Sequence, residues 1–187
     1  SGLAATNRNG QNVNFDIRGR GTYYLYYYAQ TYNIDFMSNE QKIATKQVKF
    51  GFSIKNTKFT PSAQYAPAGY EFDGWYTDEN LTDPVDWNNA KMPAGGMVLY
   101  AKWKPITYTV KFLWDEGGTQ YANRTASYGT VMSNVPADPT RAGQSFVGWF
   151  YKDNGVEKAF DPANMQVKGN MTLYAKWSSN NMKQYFV

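Results

Sequence analysis

Apolar and polar residues alternate with a period of two in several short runs along this 187-residue chain. In YTVKF, Tyr108, Val110 and Phe112 share one face, and Thr109 and Lys111 share the other. YNIDF repeats the pattern with Tyr32, Ile34 and Phe36, and VKFGFSI alternates Val48, Phe50, Phe52 and Ile54. Alternation of this kind predicts half-buried β-strands. MVLYAKW and MTLYAKW put Met, Leu, Ala and Trp on one face and Tyr and Lys on the other. In YEFDGWY and QSFVGWF the Phe and Trp stand three apart, so strict alternation would send them to opposite faces. The Gly between them predicts a bulge that turns both rings inward. Turn signals (DEGG, APAG, MPAGG, KDNG, VKGN) separate the runs. Helix is scarce: residues 129–136 and 161–165 have room for about a turn each, and Pro84, Pro93 and Pro162 discourage anything longer. The fold class predicted is mainly β, in small modules of mixed or antiparallel sheet.

The strand pattern is itself repeated. LYAKW occurs at residues 99–103 and again at 173–177. Walking back at that spacing pairs Gly69 with Gly143, Phe72 with Phe146, Gly74-Trp75 with Gly148-Trp149, and Met97 with Met171. Residues 69–103 and 143–177 share twelve identities in 35 positions without a gap. Two tandem modules follow, residues 31–105 and 106–178. Leu25 precedes Leu99 by the same 74 residues, so residues 1–30 read as the C-terminal part of a preceding module, and 179–187 as a tail or the next linker. The opening SGLAATNRNG reads as a cut start, and the chain as a piece of a longer one. What recurs is Gly, Trp, Phe, Tyr, Leu and Met. These are packing and turn residues, so the copied unit reads as structural.

Composition narrows the chemistry. Aromatics are 18% of the chain, with 6 Trp, 16 Tyr and 11 Phe, and such rings can build the core of a small module. Histidine and cysteine are both absent. That removes Cys–His and Ser–His–Asp catalysis, disulfides, and zinc sites built on imidazole or thiolate. The net charge of +4 is scattered, without the basic run of a nucleic-acid arm. No apolar stretch approaches the roughly 20 residues of a membrane span.

The succession Tyr-x-Val/Ile-x-Phe, Gly-x-x-Phe-x-Gly-Trp-Tyr/Phe, Met-x-Leu-Tyr-Ala-Lys-Trp resembles the Listeria–Bacteroides repeat of internalin-type and other bacterial cell-surface proteins. The second copy matches throughout. The first lacks the Tyr-Gly-Thr seen in the second as Tyr128-Gly129-Thr130. The resemblance implies a β-grasp-like module of four or five strands with one short helix. It also implies an exported, wall-attached parent that works by adhesion or spacing, no cofactor, and no catalytic residues.

Several residues are candidates for contact. Trp75, Trp103, Trp149 and Trp177 form pairs that read as either a sugar-stacking platform or core. Their repeated places on strands favour core, together with Phe72 and Phe146. Trp87 and Trp114 have no ring at the matching place in the other copy, which makes them candidates for exposed contact with a glycan or host extracellular protein. Tyr23, Tyr24, Tyr26, Tyr27 and Tyr28 put rings on both faces of one strand, for contact or for packing. The carboxylates of residues 78–86 are hard ligands of the kind calcium takes, but their spacing is not that of an EF-hand and the loop is not copied, so a solvated loop is expected and no metal. Paired carboxylates for glycoside hydrolysis are not picked out by any repeated or aromatic-flanked arrangement. Two functions remain: a spacer or adhesin stalk in contact with adjacent repeats, and a binding module using exposed aromatics.

Overall fold

The structure is a computed structural model that describes residues 3–6, 12–15 and 29–179. Strands β1 (Leu3–Thr6) and β2 (Asn12–Phe15) pair antiparallel. The first repeat supplies β3 (Thr31–Ser38), β4 (Gln41–Lys49), β5 (Tyr70–Tyr76) and β6 (Met97–Pro105). They form a sheet in the order β4-β3-β6-β5, with β3 and β6 parallel. The second repeat supplies β7 (Thr107–Leu113), β8 (Gln120–Ser127), β9 (Gln144–Asp153), β10 (Val156–Ala159) and β11 (Met171–Ser179). Their order is β10-β9-β11-β7-β8, with β7 and β11 parallel. Each repeat is thus a hairpin whose first strand lies beside the LYAKW strand, with the Gly-Trp strand beyond it. The chain is mainly β with little helix.

By compactness the chain divides into residues 1–59 with 75–100, and 60–74 with 101–187. The first unit holds β3 and β4. The second holds all of β7–β11 together with the chain leading into β5. Strands β5 and β6 each run through both units, so these divisions fall inside the first repeat.

The two repeats bury the same eight positions. Ile34, Phe36, Ile54, Trp75, Val85, Met92, Leu99 and Ala101 are buried in the first; Val110, Phe112, Met132, Trp149, Phe160, Val167, Leu173 and Ala175 are buried in the second. Ring geometry is conserved with them. Phe36 meets Trp75 edge-on at 4.8 Å, and Phe112 meets Trp149 edge-on at 4.8 Å. Edge-to-face pairs at this distance suit the ring quadrupoles. In both hairpins the register shifts just after the buried Phe, between Phe36 and Met37 and between Phe112 and Leu113.

The matched positions also correct the ungapped alignment. Phe112 follows Phe36 by 76 residues, Met132 follows Ile54 by 78, Trp149 follows Trp75 by 74, Val167 follows Met92 by 75, and Leu173 follows Leu99 by 74. Small insertions and deletions in the turns cancel, and identity counting does not see them. The first copy does not lack its Tyr-Gly-Thr corner either. Phe50-Gly51-Phe52 fills it: the Phe50 N–H donates to Gln30 O at 2.7 Å and the Gly51 N–H to Met92 O at 2.9 Å. The Tyr128 N–H likewise donates to Ile106 O and the Gly129 N–H to Val167 O, each at 2.8 Å. Gly51 and Gly129 take φ of +77° and +76°, the left-handed region that costs glycine least.

Helix falls elsewhere than expected. The short 3-10 turns are Lys55–Thr57 and Ala63–Tyr65, in a first-repeat loop four residues longer than its counterpart. Residues 129–136 form no helix, and Val131 makes an isolated bridge to Gln166. Residues 161–165 make a single turn closed by the Met165 N–H donating to Asp161 O at 2.8 Å. The bulge lies in β9: the register skips Val147 opposite Lys176 and Trp177, and Val147 is exposed. That extra residue lets Phe146 and Trp149 face the same side, with ring centroids 5.2 Å apart.

Candidate functional site

The expected core residues divide by depth. Trp75 and Trp149 are 2% and 5% exposed. Phe72, Phe146, Trp103 and Trp177 are half-buried, and Phe146 and Trp177 pack against the core of the second repeat. Near the ends of β6 and β11 the Trp103 ring meets Phe72 at 5.6 Å and the Trp177 ring meets Phe146 at 5.9 Å.

Trp114 does not stand free. Its ring stacks on Trp177 (6.4 Å, 13°) and takes the edge of Tyr121 at 4.8 Å. The Trp177 Nε1–H donates to Trp114 O at 2.9 Å. The Arg141 guanidinium lies 4.5 Å from the Trp177 ring centroid, a cation–π distance. The same guanidinium forks onto both oxygens of Asp115 at 2.8 Å. Arg141 holds the Asp115 carboxyl below the usual carboxylate range. Trp114, Trp177, Tyr121, Arg141 and Asp115 thus form a clamp joining the end of β7, the end of β11 and the loop before β9. The Tyr121 O–H donates outside the clamp, to Ala137 O at 3.0 Å, and Arg141 also donates to Gln144 Oε1 at 3.3 Å. The first repeat puts buried Ser38 where the second has Trp114, and Pro67 where the second has Arg141.

Trp87 is half-buried in the other unit, with Lys58 Nζ 5.9 Å from its ring centroid. It occupies the second place of an Asp-capped turn that the sequence comparison missed. Asp86 accepts from the Asn88 and Asn89 N–H groups and from Asn89 Nδ2, and Asp161 accepts from the Ala163 and Asn164 N–H groups and from Asn164 Nδ2. Side-chain bonds from Asn89 and Asn164 lead in holding both carboxyls below their ordinary value. Pro162 stands where the first repeat has Trp87. The shared Asp-x-x-Asn was the signal available, hidden by the one-residue shift.

In the acidic loop, Asp78 turns inward on its own backbone. It accepts from the Thr82 N–H at 3.0 Å, the Asp83 N–H at 2.7 Å and Thr82 Oγ1 at 2.8 Å. Its acceptors therefore close the loop rather than point to a common cation. Among the described residues no group of three or more acidic side chains converges as a metal site. Tyr23, Tyr24, Tyr26, Tyr27 and Tyr28 lie outside the described residues.

The compact unit containing the second repeat also holds a joint between the two copies. Gly69 (φ +78°) presses its Cα against the ring of Tyr128, so closely that a Cβ there would sit 2.2 Å from Tyr128 Cγ. The Ile106 N–H donates to Gly69 O at 2.9 Å. Tyr70 and Tyr108 flank Tyr128 at 6.5 and 6.4 Å.

Comparison with known proteins places this architecture. The family model described as the Listeria-Bacteroides repeat domain matches residues 32–102 and again 108–176. A protein of Evansella cellulosilytica named as a membrane protein is 35% identical over 166 residues, 88% of this chain and 24% of that protein. A second protein of that organism, named as a Gly-rich membrane protein, is 35% identical over 150 residues, 80% of this chain and 16% of its own length. Internalin H of Listeria monocytogenes is 32% identical over 113 residues, 60% of this chain and 20% of that protein. The chain spans less than a quarter of the length of each of these curated relatives. Among the described residues no helix is long and apolar enough to cross a membrane.

Proposed function

The chain belongs to the Listeria–Bacteroides repeat family, and from that premise we propose that it is a non-catalytic segment of a bacterial cell-surface protein, serving as a spacer or adhesin stalk. Residues 31–105 and 106–178 act in this reading as its modules. One observation carries it: the eight-position core, the glycine corners and the Asp-capped turns recur in both copies. The shared Tyr174 and Lys176 meet Glu157 in the second copy, but Glu157 is not itself a shared residue, so what was copied is a way of folding. The names of the relatives, two membrane proteins and an internalin, support a place at the cell envelope.

Surface display tests the role. A small epitope is anchored to a bacterial wall with or without this chain between anchor and epitope, and antibody access is measured. A spacer restores access, and restores it equally when Trp87 and Trp114 are both replaced by Ala. Access unchanged by inserting the chain contradicts the spacer role. Adhesion of the displayed chain to host extracellular protein or glycan, lost in the same double variant, would favour the binding reading.

A further inference from the structure

The joint at Gly69 has two sides, and among the described residues each side recurs without its partner. The giving side is a turn: the Tyr70 N–H donates to Pro67 O at 3.1 Å, with Gly69 at φ +78°. Arg141 to Gln144 is the same turn, its N–H to O distance 3.2 Å and Gly143 at φ +73°. Yet around Gly143 a Cβ would meet nothing within 4 Å among the described residues. The receiving side is the corner at Tyr128, whose ring covers Gly69. Its counterpart by backbone hydrogen bonding is Phe50, and Phe50 is 51% exposed where Tyr128 is half-buried. Tyr32, on β3, stands where Tyr108 flanks Tyr128 on β7.

We infer that Gly143 and Phe50 are the two open halves of a repeat-to-repeat joint, and that each docks the complementary half of another repeat of this kind, an aromatic ring laid on a bare glycine. The occupant follows from the joint already formed. A ring seats flat on Cα only where the side chain is a hydrogen and φ is positive, and Gly143 keeps both conditions. The ring offered by the other half sits on a corner pinned by two backbone hydrogen bonds, so Phe50 is held ready as Tyr128 is. A large ring left half in water at a fixed corner gains by covering an apolar surface. The inference rests on the repeat reading and not on the stalk role, which the display assay tests separately.

The second copy used as probe is the chain itself. Between covalently linked repeats the effective concentration reaches the millimolar range, so a weak contact suffices in an array and must be sought at high concentration. Amide spectra of the full chain, recorded from about 20 µM to about 1 mM, and sedimentation over the same range are the readouts. Shifts that grow with concentration are expected at Gly143, Gln144, Phe50 and Gly51, with a rising average mass. Gly143→Ala, which places a methyl where the ring must lie, and Phe50→Ser should each abolish them while still melting cooperatively. A one-to-one mixture of the two variants should associate again, because one keeps the glycine and the other keeps the ring. Spectra independent of concentration up to about 1 mM overturn the inference, and so does association that either variant retains alone.

Discussion

At the residue scale the two central tryptophans hold matching core positions but differ in hydrogen-bond partner. The Trp75 Nε1–H donates to Phe59 O at 2.8 Å. The Trp149 Nε1–H is buried and has no hydrogen-bond partner among the described residues. Phe59 belongs to the longer loop of the first repeat, and the shorter loop of the second brings no carbonyl to that place. Trp75→Phe should therefore cost about 1 kcal/mol more than Trp149→Phe, the net worth of one hydrogen bond. Trp→Ala at either position should cost about 3–5 kcal/mol, and less at half-buried Trp103 and Trp177. Denaturant titration of the six variants measures the order. Tyr174 gives a second test. Its O–H donates to Glu157 Oε2 at 2.7 Å, and burial first, then that bond, pushes its pKa up to about 12 from 10.0. The folded state thus holds this proton more tightly than the unfolded state. The associated stability is complete below pH 10 and is lost as pH rises towards 12. Tyr174→Phe should flatten that alkaline fall in melting temperature. An unchanged slope would exclude Tyr174 as its source.

At the scale of elements, the copies differ in their turns and in β10, which the second repeat adds to its sheet. Gly69 and Gly143 have the same φ region and the same turn, but only Gly69 carries a ring on its Cα. Gly143→Ala should cost only the backbone penalty of a left-handed residue, about 1 kcal/mol. Gly69→Ala must in addition displace Tyr128, and the melting temperature should fall further. The Asp86 and Asp161 caps supply an acid-side prediction. Their carboxyls are held below the ordinary value by Asn and backbone donors, so their contribution is present above that value and lost as pH falls through the lowered one. Asp86→Asn together with Asp161→Asn should make melting less sensitive to pH in that acid window. Alternation reported the buried face of β3 and β7 directly, since Ile34, Phe36, Val110 and Phe112 are all buried. In VKFGFSI, however, the strand ends at Lys49, and Phe50 and Phe52 stand exposed at the glycine corner. The turns were less legible in the sequence. Identity at 74-residue spacing conceals the shifts that bring Asp86 to Asp161 and Phe50 to Tyr128, because hydrogen-bond partners define those matches and residue type does not.

For the molecule as a whole, the contact residues were the least legible part. Trp114 lacks a counterpart in the first copy, and that absence suggested exposure. The structure instead shows it closing on Trp177, Tyr121 and Arg141, a device of the second repeat alone. A ring present in one copy marks a difference in packing as readily as a difference in binding. The central claim is that the copied unit is a folding unit, complete in itself. The core of the second repeat supports it, since all eight buried members and their partly buried neighbours lie between Tyr108 and Trp177. The direct test is a fragment of residues 106–178 observed by amide spectra and thermal melting. The account predicts dispersed signals and one cooperative melt, with Trp149→Ala abolishing both. A fragment with collapsed, undispersed signals and no cooperative transition would contradict it.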